Sequence, residues 1–237
     1  MKTYIWTIQT RLFHWVLALS FTVAFMLGGE DNYLRIHAAL GSLIGTLVLF
    51  RIIQGFMGPH YTRFRDFPMS PKSLLAFISD MKQSKASHPG HNPLAALVML
   101  GIMVSALVSA MSGMLMFLSG DTGMFGFRIN PGFDTEIFQE IHEVVVHLFL
   151  ILVGVHLTGI IVDTVFHPGN GTILSIFTGY KRLQAKEAHL TPVQKAFGIT
   201  WLLIPLVVFC YVLLYQPLPG DENSHSEHTE SNSADND

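Results

Sequence analysis

The sequence predicts an all-α membrane protein: a four-helix transmembrane bundle followed by a fifth, C-terminal transmembrane helix. Three observations carry that prediction. Half of the 237 residues are hydrophobic and 13% are charged, with a mean hydropathy of +0.42, a composition suited to lipid rather than water. Five apolar runs are long enough to cross a hydrocarbon core of about 30 Å: Thr7 to Gly28, Ile36 to Met57, Leu94 to Leu118, Phe138 to Phe166 and Phe197 to Tyr215. Basic residues gather in alternate connections. They are Lys2 and Arg11 at the amino end, Arg51, Arg63, Arg65, Lys72, Lys82 and Lys85 after the second run, and Lys181, Arg182, Lys186 and Lys195 after the fourth. By the positive-inside rule these face the cytoplasm, which predicts an internal amino terminus and an external tail.

The first run opens with the stretch TRLFHW, where Arg11 and His14 are three residues apart and neighbours on one helix face. Arg11 and His14 inside an apolar segment, with no small-residue cleavage site before Gly28, argue against a cleavable signal peptide. The second run begins RIHAALGSLIG, with His37 near its outer end and Gly41 and Gly45 following at four-residue steps. Those glycines leave room for a bulky flat group; a small-residue helix contact is the alternative. Arg51 follows His37 by fourteen residues and so returns to the same face near the inner surface. It either anchors the helix by snorkelling or serves as counter-ion to a cofactor carboxylate.

The connection from residue 58 to 93 contains several prolines, the amphipathic piece SPKSLLAFISDM, expected to lie on the inner surface, and His60, His88 and His91, read as solvated or turn residues. In the third run Ser105, Ser109 and Gly113 form a stripe suited to close packing, and the scattered methionines read as adaptable packing rather than axial ligands. The outer connection, rich in glycine and carrying Phe125, Phe127 and Phe133, would cap an outer site or meet a partner. The fifth run has Trp201 and Pro205 and reads as an anchor or packing helix, and the tail is polar and acidic enough to predict disorder, its His225 and His228 solvated.

The fourth run holds three histidines. His142 and His156 are fourteen residues apart, hence about 40° apart around the helix and roughly 21 Å along it, whereas His147 points about 140° away from His142. Ionisable groups within a span are costly, so two on one face make a functional site the first hypothesis and hydrogen-bonded structural histidines the second. The topology pairs them by depth: His37 with His142 at the outer level, and His14 with His156 at the inner. Facing imidazoles across a bundle suit iron with both axial positions filled, which favours electron transfer over oxygen chemistry. Two such pairs predict two haems. Cys210 is the only cysteine, which excludes an internal disulfide, a cysteine-ligated cluster and covalent haem attachment through C-x-x-C-H. Arg11 and Arg51 are the further candidate cofactor-binding residues. Asp163 and His167, four residues apart at the inner boundary, suit proton handling beside a quinone; an interfacial ion pair without chemistry is the simpler reading.

TRLFHW, the His37 to Gly41 stretch, LFRIIQGFMG, DFPMSP, GHNPLAA, IHEVVVH with His156 fourteen residues beyond His142, and FTGYKR together resemble the prokaryotic cytochrome b-561 type proteins and the related b-type cytochrome subunits of nickel-iron hydrogenases. The resemblance covers about Tyr4 to Arg182. It implies a four-helix bundle with two b haems that exchanges electrons with membrane quinone, with His14, His37, His142 and His156 as axial ligands by motif. The fifth span and acidic tail depart from the shortest members. The expected organisation is a dihaem domain at 1–182, a linker and fifth helix at 183–216, and a tail at 217–237. The expected function is electron transfer in a bacterial inner membrane between the quinone pool and a periplasmic redox partner, such as a c-type cytochrome or hydrogenase. A homodimer is compatible with this, and no role with nucleic acid is expected. Two rivals stand beside it: a proton-coupled transporter, disfavoured by the absence of an internal repeat, and a noncatalytic membrane anchor with structural histidines.

Overall fold

Five helices in the structure, a computed structural model, are long and apolar enough to cross a membrane. Residues 2–80, 88–119, 123–130 and 136–216 are described. The acidic tail, with its expected disorder and with His225 and His228, lies outside the described residues, as do Lys82, Lys85, Asp121, Phe133 and Asp134.

Helix α1 (Ile8–Leu27) starts where the Thr7 side chain accepts from the Thr10 N–H. A single 3₁₀ turn at Asp31–Tyr33 leads into α2 (Leu34–Met57), and the amphipathic surface piece forms α3 (Pro71–Asp80). Asn92 caps α4 (Pro93–Ser119), its side-chain oxygen 2.7 Å from the Ala95 nitrogen. Next come α5 (Glu136–Phe166), the seven-residue α6 (Thr172–Thr178) and α7 (Pro192–Tyr215). The last begins five residues before the first residue of the expected apolar run, because Thr191 and Gln194 form a reciprocal capping box with Pro192 at the first helical position. A cap is polar, so counting hydrophobic residues passes over it.

Helix α2 is the hub. It packs against α1, α4 and α7, while α5 packs on α4 and on α6. The core gathers Phe13 and Leu17 of α1, Leu40, Ile44, Leu47 and Val48 of α2, Met103 and Ala106 of α4, Phe149 of α5 and Trp201 of α7. Fully buried Trp201 and Val212 make the fifth span a packing helix along α2. Two glutamine clasps fix its ends. At the basic end Gln54 donates to the Gln9 side chain at 3.2 Å, Gln9 to the Gln194 carbonyl at 2.7 Å, and Gln194 to the Met57 carbonyl at 2.9 Å. At the opposite end the Gln216 side chain donates to the Gly123 carbonyl and accepts from the Phe125 N–H, while Arg35 donates to the Gln216 carbonyl. The outer connection is thereby pinned to α7.

One feature of the fold has no period to announce it. Strand β1 (Thr3–Tyr4) pairs antiparallel with β2 (Tyr180–Lys181), a ribbon that joins the amino terminus to the segment after α5. Ile5 and Trp6 both donate to the Gly179 carbonyl, at 2.8 and 3.1 Å. Gly179 has φ +89°, and a Cβ there would stand 2.8 Å from the Trp6 carbonyl oxygen, so the junction requires glycine on both counts.

Candidate functional site

The histidines come together in two pairs at two levels. The rings of His37 (α2) and His142 (α5) have centres 6.0 Å apart, and those of His14 (α1) and His156 (α5) 6.4 Å apart. Metal–imidazole bonds of about 2.0–2.1 Å, with each ring centre roughly 1 Å behind its nitrogen, set two rings on one ion at roughly 6 to 6.5 Å. Both separations fit that value. Among the described residues no group of three or more His, Cys, Asp or Glu side chains could hold a metal by itself. Two imidazoles per level therefore suit an iron whose remaining ligands come from a macrocycle.

Hydrogen bonding at one level selects the tautomer. His37 Nδ1 is 2.9 Å from the Ala24 carbonyl of α1, and His142 Nδ1 is 2.9 Å from the Ser109 carbonyl and 3.2 Å from Ser112 Oγ, both on α4. A carbonyl only accepts, so in each ring Nδ1 carries the proton and Nε2 keeps its lone pair for a ligand. At the other level His14 Nδ1 is buried and has no partner among the described residues.

Glycines divide between the two alternatives the sequence left open. A Cβ at Gly41 would meet nothing within 4 Å, whereas one at Gly45 would lie 2.8 Å from Ala110 Cβ. Gly41 borders open space below His37; Gly45 is a contact between α2 and α4, the small-residue alternative. Gly113 backs His142, whose ring carbon would be 3.3 Å from an added Cβ.

Arg51 is 2% exposed, and one guanidinium nitrogen is buried without a partner among the described residues. That burial differs from a snorkelling side chain, whose charged head reaches water. A buried guanidinium nitrogen without a partner is costly, and an anionic group would offset that cost. Arg11 donates to the Phe177 carbonyl, and its Nε is likewise buried and unpartnered among the described residues.

Beside Arg51 lies an arrangement that the sequence reading missed. A row of rings runs from Trp6 through His91 and Phe67 to Phe64, with successive centres 5.0, 5.1 and 5.8 Å apart; Lys181 sits over Trp6 at one end and Arg51 over Phe64 at the other. His91 is thus a packed aromatic and not a solvated loop residue, a correction with a plain cause: Trp6 and Phe67 approach it only through the fold. Burial, then the charges of Arg51, Lys181 and His156, push its ring down to about 3, so it is neutral at physiological pH. Burial also pulls the Lys181 ammonium down, an effect the nearby Asp163 opposes. His60 stays in a turn, 3.1 Å from Asp66. Burial raises that carboxyl, but the Arg63 hydrogen bond and charge, the His60 charge and the Tyr61 N–H outweigh it and hold it below its ordinary value. His88 packs edge-on against Phe77, and its carbonyl accepts from Lys181.

Asp163 and His167 meet at 3.2 Å, and Thr172 Oγ1 donates to the other Asp163 oxygen at 2.6 Å. His147 is exposed and bonds the carbonyl of Glu143, one turn back on its own helix, away from both pairs. The serines behind His142 were the other signal missed: Ser109 was legible as a small residue but its facing a histidine was not, and Ser112 was not singled out.

A family model described as prokaryotic cytochrome b561 matches residues 5–179. No curated protein and no solved structure matches the chain.

Proposed function

Because this chain belongs to the prokaryotic cytochrome b561 family, helical membrane proteins that bind b-type haem and transfer electrons, we propose that it holds two b haems and links the quinone pool to a redox protein on the periplasmic side of a bacterial inner membrane. The observation that carries this reading is the pair of imidazole separations, 6.0 and 6.4 Å, at levels fourteen residues apart on α5. His37 and His142 would ligate one haem and His14 and His156 the other. Each bound haem supplies a one-electron couple.

The chain's own contribution is position and electrostatics. The Ala24 and Ser109 carbonyls hold Nδ1 of His37 and His142, which would leave Nε2 of each ring to ligate an iron. Arg51, buried and with one guanidinium nitrogen unpartnered among the described residues, would offer its guanidinium to a haem carboxylate at the inner level, and Arg11, three residues before His14, would be a second donor. Asp163, His167 and Thr172 form a hydrogen-bonded cluster at the inner boundary that suits the uptake or release of quinone protons. The basic connections support an internal amino terminus and an external tail. The end of the family match at residue 179 and the separate cap of α7 support a dihaem domain at 1–182, with 183–216 as linker and fifth helix.

A reduced-minus-oxidised spectrum and a haem assay on the purified protein test the reading. The expected haem-to-chain ratio is two. Alanine at His14, His37, His142 or His156 should remove or cripple one haem, and His147→Ala should retain both. A ratio of one in the wild type sinks the two-haem claim.

A further inference from the structure

Two slots at different depths require a division between them, and the spacing of α5 supplies one. His142, Phe149 and His156 recur every seven residues; each step advances roughly 10.5 Å and drifts about 20°, so the three share one face with Phe149 midway. On α1 the same step leads from His14 to Phe21 and then to Gly28, where a Cβ would stand 3.6 Å from the His37 ring. The rows face each other in register: His14 meets His156 at one end, the His37 level meets His142 at the other, and Phe21 meets Phe149 between them. Those two rings have centres 4.0 Å apart and planes at 30°.

Burial sets Phe149 apart from the rest of its helix. In the 31 residues of α5 it alone is buried, at 3% exposure, while the backbone of α5 packs on α4 and α6 rather than on α1. The ring pair therefore bridges two helices whose backbones do not pack closely on each other.

We propose that Phe21 and Phe149 are the partition between the two cofactor slots and the medium through which an electron passes from one to the other. The step is balanced without further reagents. With both haems bound, one electron would leave the ferrous one and reduce the ferric one, with no bond changed and no proton moved. Two hydrocarbon rings keep water out of the path and hold the two cofactor edges at a fixed gap, so both are positioning residues. This rests on the two-haem reading above.

The test uses the full chain in detergent with both haems bound. Phe149→Leu keeps an apolar side chain of similar bulk, Phe149→Tyr keeps the ring, and Phe21→Leu tests the partner. Haem content and the low-spin band positions are measured first, then the rate at which the two haems re-equilibrate after a fast partial reduction. Expected are a ratio of two in all variants, wild-type equilibration in Phe149→Tyr, and a slowing of about tenfold in each leucine variant, equivalent to about 1.4 kcal/mol in the barrier. Both leucine variants holding two haems and equilibrating at the wild-type rate would overturn the partition and leave the dihaem reading intact. A wild-type ratio of one would instead overturn the dihaem reading itself.

Discussion

Arg51 shows how much a single buried side chain demands of its surroundings. A guanidinium at 2% exposure, with one nitrogen unpartnered among the described residues, would be stabilised by an anion, and the inner histidine level lies at its depth on the opposite helices. Its positive charge would favour the reduced, less positive iron. Arg51→Gln should therefore lower the midpoint potential of the inner haem and leave the outer one near its wild-type value. At a separation on the order of 10 Å and an effective dielectric constant of about 20, the expected shift is roughly 50 to 100 mV, read by a potentiometric titration of the α-bands. Unchanged potentials at both levels would reduce Arg51 to a structural cation. The four paired histidines and Arg51 were legible in the sequence because ionisable groups are rare in apolar runs and their fourteen-residue spacing fixes a face. His91, Lys181 and the serine carbonyl behind His142 were not. Their significance comes from neighbours far away in the chain, Trp6, Phe67 and His142, which no local pattern brings together.

At the scale of elements, the five spans were legible nearly to their ends because length and hydropathy decide what crosses a bilayer. What escaped was short or polar: the capping box of α7, the seven-residue α6, and a two-stranded ribbon whose strands are two residues each and carry no alternation to read. The two glycines of α2 separate packing from binding. At Gly45 the neighbour is the rigid Cβ of Ala110, so Gly45→Leu must push α2 and α4 apart, with a cost of about 1–3 kcal/mol for overpacking. Gly41 faces open space, so Gly41→Leu should leave the thermal unfolding of haem-free protein near wild type yet lower outer-haem occupancy. Thermal melts of the haem-free protein, with haem assays on both variants, check the contrast. Equal melting losses at the two positions would show that Gly41 too is a packing residue and that no slot lies beneath His37.

For the whole molecule, two levels of imidazoles roughly 21 Å apart along α5 would make a wire across a bilayer on the two-haem proposal, and a wire needs a carrier at each end. The hydrogen-bonded Asp163, His167 and Thr172 cluster lies at the His156 end of α5, among the basic connections, where a quinone exchanging electrons with the inner haem would also have to exchange protons. At the other end the turn around Phe125 is clamped by Gln216, and Phe127 is 71% exposed, an apolar projection beside the outer level on which a protein partner could rest. The proposal therefore puts quinone inside and protein outside. In vesicles supplied with a quinol analogue and followed by stopped flow, Asp163→Asn and His167→Ala should each slow haem reduction about 100-fold, the lower reach of what a positioned proton acceptor contributes. Their slowing should also ease as pH rises, because hydroxide and buffer then take over the missing acceptor. If both variants reduce the haems at the wild-type rate while an inhibitor confined to the outer side abolishes reduction, the quinone belongs beside His37 and His142, and the protein partner must be sought at the basic end.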